Sequence, residues 1–158
     1  MKLSLYVLAV GGGTLVQTTI VPILGSWSVV PDLPLVLVVL LALRRGPEVG
    51  CGIGFALGLA QDVLAGGPLG VQAFSKSLVG FASGDLPRWC LVTNPVVPVV
   101  AVVAATVADG VLRFAVLQLF HYPPAFGELL AHVILPQAAY DGLLAAVATA
   151  LPPARARA

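Results

Sequence analysis

The sequence predicts an all-α integral membrane protein with six transmembrane helices. Three observations carry that expectation. The chain is 59% hydrophobic and 9% charged, whereas a soluble domain carries about 25% charged residues. The apolar residues fall in helix-length runs, punctuated by glycine, proline and short charged stretches. Finally, Lys2, Arg44, Arg45, Arg88, Arg155 and Arg157 all lie on one side of a six-span arrangement, and the other side receives none.

The expected spans are residues 3–24, 33–43, 50–65, 69–84, 95–120 and 129–151, forming one polytopic domain over 1–158. The first lacks a clear small-residue cleavage site and reads as a retained helix. The second either starts at Leu33 or reaches upstream of Pro31–Asp32 toward Trp27. Spans two to four are shorter than the roughly 20 residues a bilayer crossing needs, so they tilt little, thin the bilayer or are shielded by neighbours. The lysine and arginine bias places both termini in the cytoplasm. Cys51 and Cys90 then lie near the cytoplasmic face, where thiols stay reduced.

Spans three and four carry a distinctive pattern. Gly50, Gly54 and Gly58 recur every four residues and Asp62 continues the row; Lys76, Gly80 and Gly84 do the same in the next span. Residues four apart share a helix face. Each helix thus presents a glycine stripe with one charge at its outer end, and such stripes let membrane helices approach closely. Gly66, Gly67 and Pro68 form the turn, because glycine accepts positive φ and proline ends a helix. At about 1.5 Å per residue, Asp62 lies about 5 Å and Lys76 about 9 Å from that turn. The two charges are expected to face each other or a shared polar pocket.

Further charges sit deep in the last two spans. Asp109 and Arg113 are four apart and can pair along one face. His132, Gln137 and Asp141 follow in span six, with Pro136 expected to kink it. His132 reads as a satisfied helix-interior residue. Charges facing lipid cost several kcal/mol, so these groups should face inward. Asp62, Lys76, Asp109, Arg113 and Asp141 comprise two cations and three acids, a net −1. That near balance favours an internal network over a partner or ligand contact, and both over ion or proton movement. A shallow cavity open to the outer side is expected among spans three to six.

Other functions find no support in the residues. There is no nucleophile–base pair, no phosphate-binding loop and no metal-ligand spacing among the cysteines and histidines. No cofactor is implied. No basic, aromatic-interleaved patch points to nucleic acid. Gly11-Gly12-Gly13 lies inside span one and reads as a packing point.

The run from Pro31 to Gly84, PDLPLVLVVLLALRRGPEVGCGIGFALGLAQDVLAGGPLGVQAFSKSLVGFASG, resembles the rod shape-determining protein MreD family. The resemblance lies in the Pro-Asp lead into a short apolar span, the arginine–glycine loop, the glycine-rich helix ending in an acid, the GGPLG turn and the Ser-Lys-Ser-Leu-Val-Gly after it. From Pro95 onward only span number and general character match. The resemblance implies a non-enzymatic protein of the bacterial inner membrane, acting in cell elongation and peptidoglycan synthesis. It implies association with MreC and through it MreB, and with the glycosyltransferase RodA and its class B transpeptidase. It also implies a fold similar to the substrate-binding subunits of energy-coupling-factor vitamin transporters. A small-molecule binding subunit is therefore the alternative reading, and homodimerisation stays open.

Overall fold

The computed structural model describes residues 30–66, 68–86, 96–119 and 126–150. The expected first span, Gly67, Cys90, Pro95 and the arginines at 88, 155 and 157 lie outside the described residues. Within them the protein is entirely helical. The helices are α1 (Leu33–Arg45), α2 (Pro47–Ala65), α3 (Val71–Asp85), α4 (Val96–Leu119), the single turn α5 (Phe126–Leu129) and α6 (Leu135–Ala150). A π-helical turn, Leu130–Ile134, joins α5 to α6, so these three pieces run as one rod.

Helix α1 starts at Leu33 because Asp32 caps it: the Asp32 carboxylate accepts the Leu35 N–H at 3.1 Å. Pro34 sits in the first turn, where its missing N–H costs nothing. The helix stops at Gly46, whose φ of 102° is open to glycine and strained for other residues. Leu35, Val36, Val38, Val39, Ala42 and Leu43 are all buried, and α1 packs on α2, α3, α4 and α6. It is the central helix of the bundle.

Helices α2 and α3 make the most intimate pair in the protein. A Cβ on Gly54 would strike the Lys76 carbonyl, one on Gly58 the Gln72–Ala73 backbone, and Gly50 and Gly80 meet each other's carbonyls. Gly84 lies against Gly46 and Pro47. All five glycines of the two stripes therefore sit at backbone-to-backbone contacts. The turn between the helices begins with Gly66 in the left-handed conformation (φ 64°), passes the exposed Pro68 and ends with Gly70, also left-handed (φ 97°).

Among the described residues, three helices, Pro47–Ala65, Val96–Leu119 and Leu130–Ala150, are long and apolar enough to cross a membrane. At about 1.5 Å per residue, the 13 residues of α1 and 15 of α3 reach only about 20 Å, against a hydrocarbon core of about 30 Å. Phe55, Val63, Phe74, Phe81, Val100 and Leu143 are exposed on the outside of the bundle, as a surface meeting lipid requires and one meeting water avoids.

The π turn ends at Ile134, two residues before Pro136. Proline lacks the N–H that would bond the His132 carbonyl. The rod widens just upstream, with the Leu135 N–H reaching back five residues to the Leu130 carbonyl. His132, expected in the interior, is exposed.

Candidate functional site

Polar side chains from four helices meet beside the N-terminus of α1. Asp32 is at the centre. Its Oδ2 accepts from Lys76 Nζ at 2.7 Å and from Arg113 Nη2 at 3.2 Å. Its Oδ1 accepts from Gln61 Nε2 at 3.3 Å as well as from its own cap partner Leu35. Asp109 closes the other side. Its Oδ2 is bonded by Arg113 through Nε at 2.7 Å and through Nη2, and Lys76 Nζ lies 3.7 Å away. Ser75 donates to Asp109 Oδ1 at 2.6 Å. Gln72 offers its side-chain oxygen to Lys76 at 3.4 Å. Two cations thus meet two carboxylates, and each cation touches both.

This cluster is buried. Lys76 and Asp109 have no exposed side-chain surface, and of its charged groups Arg113 is the one that reaches well to the outside, at 25%. Moving a charge to such a place costs several kcal/mol, which is recovered only by close pairing and full hydrogen bonding. Asp32 precedes the first described span. Burial alone would raise its carboxyl, but the Lys76 and Arg113 cations outweigh that and hold it below its ordinary value.

Asp141 joins the cluster from α6 in a different way. Its Oδ1 accepts the Asp32 backbone N–H at 2.8 Å, and its Oδ2 lies 2.9 Å from the Thr106 hydroxyl. It forms no ion pair among the described residues. Gln137 is half-buried on α6 and takes no part in the cluster.

Asp62 and Lys76 do not pair. The Asp62 carboxylate instead accepts three backbone N–H groups at the start of α3: Gly70 at 2.9 Å, Gln72 at 3.1 Å and Ala73 at 3.1 Å. The reason is local. Helix α3 begins after Gly70 with no side-chain cap of its own, and the first N–H groups of a helix need acceptors. Asp62 supplies them from the neighbouring helix and complements the positive end of the dipole. That leaves Lys76 to Asp32 and Asp109.

Asp32 is the residue that sequence reading missed as a member of the cluster. A signal was present, since Asp-Leu-Pro before an apolar run is an N-cap pattern. A cap carboxylate with its second oxygen turned inward could be seen only with α3 and α4 in place. Thr106, Ser75 and Gln61 give no sequence signal beyond being polar in an apolar run.

Among the described residues the polar groups of the cluster bond to one another, save Gln61 Oε1, which is buried without a partner. A groove of about 840 Å³ between α3 and α4 is lined by apolar side chains such as Leu78, Ala82, Leu86, Ala101, Ala108 and Val111. It runs toward the end of the bundle that carries Arg44 and Arg45. Among the described residues no three His, Cys, Asp or Glu side chains converge as a metal site.

An all-helical bundle with an apolar exterior, membrane-length helices and a buried, self-paired charge cluster is an integral membrane protein. The family model described as rod shape-determining protein MreD matches residues 1–150. The chain belongs to that family of rod shape-determining proteins. No curated protein and no solved structure matches the chain.

Proposed function

We propose that this protein is a non-enzymatic membrane scaffold of the cell-elongation machinery. It docks the transmembrane helix of MreC, through which it joins MreB, and it holds RodA and its class B transpeptidase in one assembly during peptidoglycan synthesis. The chain crosses the inner membrane six times as one domain, with both termini in the cytoplasm.

The observation that carries this reading is how the polar groups are used. Asp32, Lys76, Asp109 and Arg113 are spent on one another, and Asp62 is spent on the first turn of α3. Among the described residues, no charged group of the cluster is left aimed into a cavity for a small polar substrate. The described surface instead offers apolar helix faces, suited to other membrane helices. Membership of the rod-shape family supports the same reading. The vitamin-binding alternative would need converging polar groups in a pocket, and the groove between α3 and α4 is apolar.

The test is affinity purification of the full chain from native membranes in mild detergent, with mass spectrometry of the proteins recovered. MreC and the elongation synthase are expected. Recovery of paired ATPases and a coupling subunit in their place would overturn the scaffold reading in favour of a transporter.

A further inference from the structure

The cluster contains one acid too many. Asp32 and Asp109 are balanced by Lys76 and Arg113, each cation reaching both acids. Asp141 is fully buried beside them and pairs with no cation among the described residues. Among the described residues, the charged groups of the cluster it joins are Asp32 ahead of α1, Lys76 on α3, and Asp109 and Arg113 on α4. On its own rod, His132 and Tyr140 are exposed. If ionised, Asp141 would give the buried cluster a net charge of −1. An unpaired buried carboxylate is so costly that such groups normally take up a proton.

The geometry has a place for that proton. Asp141 Oδ2 lies 2.9 Å from Thr106 Oγ1, and Thr106 Oγ1 lies 3.1 Å from the Val102 carbonyl. The threonine hydroxyl has one hydrogen. Donated to the Val102 carbonyl, it leaves the hydroxyl oxygen free to accept from a protonated Asp141. Oδ1 then remains the acceptor for the Asp32 N–H at 2.8 Å. Asp141 and Thr106 are then both satisfied, and the two cations and two carboxylates of the cluster balance with no net charge.

We infer that Asp141 is a built-in proton site: a neutral carboxylic acid at neutral pH that donates to Thr106 and completes an uncharged core of two ion pairs. The inference rests on the buried network and is independent of the scaffold reading. It predicts that Asp141→Asn is close to silent, since an amide can donate to Thr106 and accept from Asp32 in the same positions. Asp32→Asn and Asp109→Asn each leave a cation in excess and are not silent.

The experiment is infrared spectroscopy of the full chain in lipid at neutral pH, with and without ¹³C-labelled aspartate. One neutral aspartic carboxyl band is expected in the wild type. It should shift on labelling, be lost in Asp141→Asn and move in Thr106→Val, where its acceptor is gone. Asp141→Asn should also keep the wild-type melting temperature. Five ionised aspartates in the wild type would overturn the inference. So would a band that survives in Asp141→Asn or ignores Thr106→Val. Should Asp141→Asn fail to fold, the labelled wild type and Thr106→Val still decide.

Discussion

Asp32 carries three tasks with one carboxylate: it caps α1, pairs with Lys76 and Arg113, and receives Gln61. Removing one member of a buried ion pair costs about 3–5 kcal/mol, because the partner charge is stranded. Asp32→Asn keeps the shape and strands a cation, so its melting temperature should fall sharply. Adding Lys76→Met removes the surplus charge and leaves Arg113 with Asp109. The double variant should therefore melt above the single one, and simple additivity of the two losses would sink the network. The lowered Asp32 value also sets a pH dependence. Its contribution is fully present above the ordinary value of 3.8 and is lost as the pH falls through the lower folded value. Circular dichroism during acid titration should show that acid loss in the wild type and a smaller one in Asp32→Asn.

At the scale of elements, the α2–α3 hairpin depends on absent side chains. Gly54 faces the Lys76 carbonyl, whereas a Cβ on Gly52 would meet open space. Overpacking costs about 1–3 kcal/mol where neighbours can yield, and a backbone carbonyl yields little. Gly54→Leu should thus prevent stable folding while Gly52→Leu is tolerated, with detergent-solubilised yield and melting temperature as readouts. Equal behaviour of the two would mean the helices are not packed through that face. Asp62→Ala acts at the same scale. It removes the acceptor for three N–H groups and should cost about 1–2 kcal/mol, as loss of a cap does. Hydrogen exchange should speed up first at Gly70, Gln72 and Ala73. Where the scaffold reading holds, Asp62→Ala and Lys76→Ala also weaken recovery of the complex or alter cell shape.

For the whole molecule, the distribution of charge and length sets the place in the bilayer. Arg44 and Arg45 end α1 at the same pole as Gly84 and Asp85, while Asp32, Gln61 and Asp62 gather at the other. The short α1 lies at the centre, packed on four other helices, so protein rather than lipid covers most of its length. The six-span arrangement predicts that alkaline phosphatase, active only outside the cytoplasm, works when fused after Leu119 and fails when fused after Arg157. Activity at the second site would require an odd number of crossings or both termini outside, and either overturns the six-span arrangement with cytoplasmic termini.

The sequence by itself determined the helical class, the membrane setting, the helix boundaries to within a few residues over the described chain and the glycine pattern of the hairpin. These follow from composition, from periodicity and from residues whose backbone preferences act locally, such as Pro34, Gly46 and Gly66. The partners of the charges were decided only by tertiary structure. Asp62 and Lys76 look like a pair along the chain, yet the uncapped start of α3 lies within hydrogen-bond reach of Asp62 and no cation among the described residues pairs with it. Lys76 turns instead to Asp32, 44 residues away. A buried charge takes the partner that packing brings within hydrogen-bond reach, and that distance is set by how α1, α3, α4 and α6 close around one another.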